Sequence, residues 1–118
     1  MMGPRQDRTI CRLDALAEGE TRGFTIEWDD GRQEIFLLRR GGGVVAYVNS
    51  CPHRGSPLDW VPDRFLSADG RHFLCATHGA LFRIEDGVCI AGPCVGASLT
   101  PVPVEIRDGA IVLASRDS

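Results

Sequence analysis

Two short segments carry the residues whose chemistry stands out in this sequence. Residues 51–55 read Cys-Pro-His-Arg-Gly and residues 75–79 read Cys-Ala-Thr-His-Gly. Each segment offers one thiolate and one imidazole: Cys51 with His53, and Cys75 with His78. A Cys and a His two or three residues apart on a turn can converge on one metal centre, and a following glycine lets backbone N–H groups approach the ligand sulfurs. The two matched sets therefore predict a metal centre, in preference to core cysteines and surface histidines.

The cysteine count favours metal ligation over a framework of disulfides. The chain has five cysteines, an odd number, and no export signal is recognised before them. Disulfide frameworks are typical of secreted chains with an even number of cysteines. Two interpretations of Cys89 and Cys94 stay open. They close a small loop through a disulfide, or they are a pair of buried thiols, which a reducing compartment favours.

The elements that must position these ligands are predicted to be β-strands. Four Asp-Gly pairs flanked by apolar or β-branched residues indicate hairpin turns, because glycine tolerates the positive φ that tight turns demand. They are Asp30-Gly31, Asp69-Gly70, Asp86-Gly87 and Asp108-Gly109. The predicted strands are 9–13, 21–28, 33–39, 44–48, 72–74, 81–84, 103–106 and 110–113. Helical spacing of apolar residues is missing, so we expect only a short helix within 14–18.

The segments 49–71 and 75–80 depart from the strand pattern, and they contain the two Cys/His sets. The first is rich in Cys, Pro, His, Gly and Asp. A loop of this length in a small domain is usually functional or held by something other than a core. Short strands separated by such turns predict an all-β fold, an antiparallel sandwich or small barrel with the candidate ligands on its loops.

Composition and charge exclude several classes of function. The chain has 118 residues, 43% hydrophobic and 25% charged, which is typical of one globular domain. Its net charge is -3 and its 13 basic residues, all arginine, are scattered, which argues against a nucleic-acid partner. The longest apolar run, 44–48, is far shorter than the roughly 20 residues of a membrane helix, and residues 1–12 contain no apolar signal region. We therefore expect a cytoplasmic protein without membrane contact.

The C-x-H and C-x-x-H sets resemble the ligand motif of the Rieske iron–sulfur family. The similarity extends over about residues 8–113 and includes Leu-Asp-Ala-Leu at 13–16 and Gly-Pro at 92–93. It implies a Rieske-type antiparallel sandwich or barrel forming a single domain over 8–114, with a cluster-binding subdomain at about 49–94 inserted between strands. It also implies a [2Fe-2S] cluster as the cofactor, with Cys51 and Cys75 on the inner iron and His53 and His78 on the outer iron, near the surface.

The resemblance also implies which residues surround the cluster. They are Gly55, Gly79, Ala80, Phe82, Gly92 and Pro93. In high-potential members a Ser and a Tyr stand at the positions of Ala80 and Phe82 and donate hydrogen bonds to sulfur. Without those donors we expect a potential in the lower half of the Rieske range of about −150 to +300 mV. The Gly92-Pro93 pair matches a loop that shields the cluster in the family, although an ordinary turn explains it equally well.

The expected function is that of a one-electron carrier without catalysis of its own. It would accept electrons from a flavin-dependent reductase and pass them to a terminal oxygenase. A Rieske-type small subunit of an assimilatory nitrite reductase and a redox sensor are further hypotheses. From another class, the same four ligands would hold one zinc ion in a structural interaction module, although the one-residue gap between Cys51 and His53 is tighter than the usual spacing of about two to four residues.

Two further features have more than one interpretation. The stretch 60–65 is long for a small Rieske ferredoxin and contains Trp60 and Phe65. These aromatic residues either form a docking rim for a redox partner or cover the cluster-binding subdomain. His72 precedes the apolar Phe73-Leu74 and is predicted to be a strand residue rather than a ligand.

Overall fold

The computed structural model describes residues 9–28, 31–52, 58, 64–75 and 79–114, and nine β-strands are the main elements of this part of the chain. The strands are β1 Thr9–Arg12, β2 Thr21–Trp28, β3 Gly31–Arg40, β4 Gly43–Val48, β5 His72–Cys75, β6 Ala80–Arg83, β7 Cys89–Ala91, β8 Val104–Arg107 and β9 Ala110–Leu113. A 3₁₀ turn at Leu13–Ala15 is the only helical element in these ranges. Within them, no helix has the length and apolar character needed to cross a lipid bilayer.

The strands form three antiparallel sheets of three strands each. Their orders are β1-β9-β8, β2-β3-β4 and β5-β6-β7. The first two sheets are joined beside β4, where the Val48 N–H donates to Thr100 O and the Val102 N–H donates to Ala46 O, both at 2.9 Å. The third sheet is formed by the chain between β4 and β8. The all-β antiparallel prediction is confirmed.

The eight predicted strands are all present, with ends within two residues of the expected ones. The strand β7 was missed, because three residues are too few for an alternation of apolar and polar side chains to be visible. The helix expected within 14–18 is instead the 3₁₀ turn, closed by a hydrogen bond from the Leu16 N–H to Leu13 O at 3.1 Å. Of the Asp-Gly turns, Asp30 lies outside the described residues.

The turn between β8 and β9 shows why the Asp-Gly signal is informative. Asp108 and Gly109 have φ angles of 52° and 76°. A two-residue hairpin of the I′ type requires positive φ at both central residues, and its backbone twist matches that of the flanking strands. Gly109 adopts this conformation without a steric penalty, and Asp is one of the few other residues that tolerate it.

Two hydrophobic cores lie on opposite faces of β3. Successive side chains of a strand point to opposite faces. Ile35 and Leu37 accordingly pack in a core shared with Ile111 of β9. Phe36 and Leu38 pack in the other core, which is shared with the sheet β5-β6-β7. Residues 35–38 are buried on both faces of β3. The strand therefore lies between the core shared with β9 and the core that contains the candidate cysteine ligands.

Candidate metal centre

The two predicted cysteine ligands are brought into one buried cluster. Cys51 lies three residues beyond the end of β4, and Cys75 is the last residue of β5. Both are 0% exposed, and both pack in the core that contains Phe36 and Phe82. The structure gives all five cysteines of the chain as thiols. Two soft sulfur donors therefore lie at the points where two strands give way to the loops that carry the predicted histidines.

The predicted ligands His53 and His78, together with Gly55, lie outside the described residues. The loop that carries His78 is nevertheless anchored at both ends. The Gly79 N–H donates to Cys75 O at 2.7 Å, and Ala80 then pairs with Cys75 in the register of β5 and β6. Gly79 has a φ of +73°, which favours glycine. The glycine that follows the second Cys/His pair in the sequence therefore stands at a position whose backbone conformation favours glycine.

The loop that carries His53 is closed by a side chain. Asn49 Oδ1 accepts a hydrogen bond from the Leu58 N–H at 2.8 Å. Leu58 itself is completely buried in the same core as Cys51. The Asn49 N–H donates to Glu34 O at 2.9 Å, which continues the pairing with β3 beyond the end of β4. The two ends of this loop are therefore held together on either side of the candidate ligands.

Aromatic residues pack against one another in the core that contains Cys51 and Cys75. Phe36 stacks on Phe65 with ring centroids 4.3 Å apart and 9° between the ring planes, and it meets the edge of Phe73 at 4.9 Å. Phe65 is 0% exposed. Of the two interpretations of the stretch 60–65, Phe65 fits the one in which the aromatic residue covers the core, and its burial is incompatible with a docking rim. Trp60 lies outside the described residues.

Residues expected around the cluster gather beside Cys75. Ala80 and Phe82 are both completely buried in the core of the two cysteines. Gly92 has a φ of +99°, and a Cβ on it would lie 2.7 Å from Ala80 Cα. The exposed Gly92-Pro93 loop therefore presses on the residue opposite Cys75 in the sheet. The loop is therefore packed closely against β6, and its role in shielding the cluster stays a prediction.

His72 lies at the start of β5, as predicted, and is half-buried. Its N–H donates to Ser67 Oγ at 3.3 Å. The strand alternation places His72 and Cys75 on opposite faces, because side chains an odd number of residues apart point in opposite directions. His72 therefore belongs to the strand and not to the ligand set.

Cys94 was not singled out as a site residue, yet it lies beside Cys51. Its Sγ donates to Cys89 Sγ at 3.3 Å, and Cys89 Sγ donates to Ala91 O at 3.1 Å. Burial, followed by interactions with Cys89 and Cys51, raises the pKa of the Cys94 thiol to about 12. The thiol therefore keeps its proton near neutral pH. The signal in the sequence that could have indicated this placement is its position directly after the Gly92-Pro93 loop.

The described residues fit an iron–sulfur cluster. Thiolates are the ligands that such clusters select, and a protected, apolar setting with nearby donors to sulfur is how proteins adjust cluster potentials. Cys51 and Cys75 provide two buried sulfurs at loop ends, in a core that is otherwise largely apolar.

The family of the chain follows from a comparison with known protein families. Residues 7–108 match the Rieske [2Fe-2S] domain, and the chain belongs to this family. The cofactor is therefore a [2Fe-2S] cluster, as expected, and not the single zinc ion of the alternative hypothesis.

Individual relatives are similar at moderate identity. The chain is 31% identical over 72 residues to the menaquinol:cytochrome c reductase iron-sulfur subunit of Geobacillus thermodenitrificans, a match that covers 61% of this chain and spans 40% of that relative's length. The structure is similar to the ferredoxin of carbazole 1,9a-dioxygenase from Nocardioides aromaticivorans IC177, with a TM-score of 0.70, 25% identity and coverage of 92% and 96% of the two chains. It also matches a chain in a complex of reduced oxygenase and oxidized ferredoxin in carbazole 1,9a-dioxygenase, with a TM-score of 0.69, 23% identity and 90% coverage of each chain. These similarities support an electron carrier.

Proposed function

We propose that this protein is a Rieske-type ferredoxin that carries one electron at a time from a flavin-dependent reductase to a terminal oxygenase. The observation that carries the proposal is the burial of Cys51 and Cys75 in one core, at the ends of two anchored loops, in a chain of the Rieske family. The similarity to a dioxygenase ferredoxin over most of both chains supports the choice of this function within the family.

In this proposal the segment 49–94 is the cluster-binding subdomain. Cys51 and Cys75 bind one iron and His53 and His78 bind the other. When bound, the [2Fe-2S] cluster supplies a one-electron redox couple. Cys51 and Cys75 are both completely buried, so the core around them excludes water from the inner side of the site. The apolar core around them disfavours added negative charge, which agrees with the expected potential in the lower half of the Rieske range.

The loops have a second role in the proposal, which is to hold the ligands rigidly while the electron is exchanged. The hydrogen bond from the Leu58 N–H to Asn49 Oδ1 and the bond from the Gly79 N–H to Cys75 O close the two ligand loops at their bases. Rigid ligands keep the reorganisation of the site small when its charge changes. Ala80, Phe82 and the Gly92-Pro93 loop limit access of water from the side of β6.

The ligand assignment is tested by substitution of each proposed ligand. Cys51→Ser, His53→Gln, Cys75→Ser and His78→Gln are expected to lose iron, acid-labile sulfide and the EPR signal of the reduced cluster. The matched control is His72→Gln, which changes the remaining histidine of the chain and is expected to retain all three. Full iron and sulfide content in either cysteine variant would contradict the assignment.

The carrier function is tested by electron transfer to an oxygenase. The chemically reduced protein is mixed, without oxygen, with an oxidised terminal oxygenase of a three-component dioxygenase system, and the visible spectrum is followed in a stopped-flow instrument. We expect one electron to leave each chain, with oxidation that depends on the oxygenase concentration. Protein that stays reduced with oxygenases of this class, but transfers electrons to a nitrite reductase, would contradict the proposed acceptor.

A further inference from the structure

Two buried thiols next to the candidate ligands have no part in the proposed function. Cys89 lies at the start of β7 and Cys94 lies in the loop after it. Their sulfur atoms are 3.3 Å apart, in hydrogen-bond contact. Cys89 is 1% exposed and Cys94 is 9% exposed. The sequence left open whether the pair forms a disulfide, and the structure shows two thiols placed side by side.

The backbone around the pair is held in place by three hydrogen bonds. The Cys89 N–H donates to Ala97 O at 2.8 Å, and the Gly96 N–H donates to Cys89 O at 3.2 Å. The Ala97 N–H donates to Cys94 O at 2.9 Å. These bonds close the base of the loop 90–96, so the two cysteines keep their relative position. A disulfide has an S–S distance of about 2.05 Å, so the two sulfur atoms, now 3.3 Å apart, must approach by about 1.25 Å through rotation about the side-chain torsions.

Cys94 is the more exposed member of the pair and lies on the side of the surface loop. The loop around Cys94 lies at the surface, with Pro93 and Gly96 exposed and Val95 63% exposed. Cys94 retains some exposure, whereas Cys89 lies behind it. Attack therefore begins at Cys94, and Cys89 is placed to complete the reaction.

We propose that Cys89 and Cys94 are a redox-active thiol pair that closes to a reversible disulfide when a low-molecular-weight disulfide such as glutathione disulfide is the oxidant. The Cys94 thiol first loses its proton to solvent, and its thiolate then attacks one sulfur of glutathione disulfide, which forms a mixed disulfide and releases one glutathione thiolate that takes up a proton. The Cys89 sulfur then attacks the Cys94 sulfur of the mixed disulfide, and a second glutathione leaves. The pair loses two electrons and two protons, and glutathione disulfide gains them.

This modification site goes beyond the proposed electron carriage, because it exchanges two electrons and involves no iron.

The digestion pattern of the chain allows a direct test. Trypsin cleaves after arginine, and the peptide 84–107 contains both Cys89 and Cys94 and no other cysteine. The cluster-loaded protein is equilibrated, without oxygen, at increasing ratios of glutathione disulfide to glutathione. It is then quenched in acid, unfolded, alkylated and digested for mass spectrometry. We expect peptide 84–107 to lose both alkyl labels together and to become lighter by two hydrogens, and we expect dithiothreitol to restore both labels.

Two matched variants and two internal controls complete the experiment. In Cys89→Ser and Cys94→Ser, peptide 84–107 is expected to carry one label or one glutathione and never an internal loss of two hydrogens. Cys11, alone in peptide 9–12, reports oxidation that is not specific to the pair. EPR of an aliquot that is taken before the quench and reduced chemically reports the cluster, so a failure of the pair is distinguished from a failure of the proposed function.

Two outcomes would overturn the proposal. One is a peptide 84–107 with both labels at the most oxidising ratio. The other is a cross-link from this peptide to peptide 41–54, which contains Cys51. That cross-link would show that Cys94 reacts with the candidate ligand instead of with Cys89.

Discussion

Gly92 contacts the backbone of Ala80 so closely that a Cβ on Gly92 would come within 2.7 Å of Ala80 Cα and 3.2 Å of Ala80 N. Ala80 in turn pairs with Cys75 across β5 and β6. The loop that leaves β7 therefore rests on the strand residue opposite a candidate cluster ligand. The contact exists only because position 92 has no side chain.

The first prediction concerns this contact. Gly92→Ala is expected to destabilise the protein by about 1–3 kcal/mol more than Gly96→Ala, because overpacking against fixed backbone costs this much and the loop must move. Gly96 is the matched control, since its φ of +96° is similar to that of Gly92 and a Cβ at this position would meet no atom within 4 Å. Urea unfolding of the cluster-loaded proteins measures the difference. Equal destabilisation of the two variants would show that the contact has no energetic weight.

The second prediction concerns the link between β4 and the end of β6. The Tyr47 hydroxyl donates to Ile84 O at 2.9 Å, and both residues are buried. Tyr47→Phe leaves this carbonyl without its donor, and we expect a loss of about 1–3 kcal/mol in the free energy of unfolding. Thr25→Val removes an exposed hydroxyl from β2 and should change stability by less than about 0.5 kcal/mol. A Tyr47→Phe variant as stable as Thr25→Val would contradict the expected weight of the buried bond.

The third prediction concerns acid stability at the turn between β6 and β7. The hydrogen bond from the Arg83 guanidinium, together with the Val88 N–H, lowers the pKa of Asp86 below its ordinary value of 3.8. A carboxylate with a lowered pKa in the folded state contributes stability above its unfolded pKa, and this contribution is lost as the pH falls through the folded pKa. Asp86→Asn is therefore expected to reduce stability near pH 6 and to converge with the parent protein at strongly acidic pH.

Chemical unfolding at a series of pH values measures this convergence. The matched control is Glu85→Gln at the neighbouring position, where Glu85 makes an exposed ion pair with Arg40 at 3.6 Å. The difference between this control and the parent protein is expected to be small at every pH, as for most exposed ion pairs. A gap between Asp86→Asn and the parent protein that stays constant down to strongly acidic pH would rule out the role of the lowered pKa.

The fourth prediction concerns the potential of the cluster. Ala80 is buried beside Cys75 and provides no hydrogen-bond donor from its side chain. Ala80→Ser adds a hydroxyl, and a hydrogen bond to sulfur that favours the reduced state by about 0.5–1.5 kcal/mol raises a one-electron potential by roughly 20–60 mV. Ala46→Ser is the control, because Ala46 is buried in the other core; it is expected to lower stability but to leave the midpoint potential unchanged. A redox titration that finds equal potentials in both variants would exclude a donor role for residue 80.

Local patterns in the chain were sufficient for the strands and the ligand types. The alternation of side chains predicted β2 and β9 to the residue, and the Asp-Gly pairs marked the hairpins, because both signals depend on neighbouring residues alone. The Cys/His spacing indicated the family for the same reason, since the Cys and the His of each set are only two or three residues apart in the sequence. The strand β7 escaped prediction because it is a strand only through its pairing with β6.

The placement of Phe65, Gly92 and Cys94 depended on packing between segments distant in sequence. Phe65 is a core residue because its ring stacks on Phe36. Gly92 contacts Ala80. Cys94 lies beside Cys89 and Cys51. Each contact is made between strands or loops that are distant in sequence. The pattern of apolar and polar residues within one segment does not indicate which other segment it packs against. The amino-acid order therefore specified the chemistry available to this protein, whereas the packing of its sheets decided which thiols and rings share a core with Cys51 and Cys75.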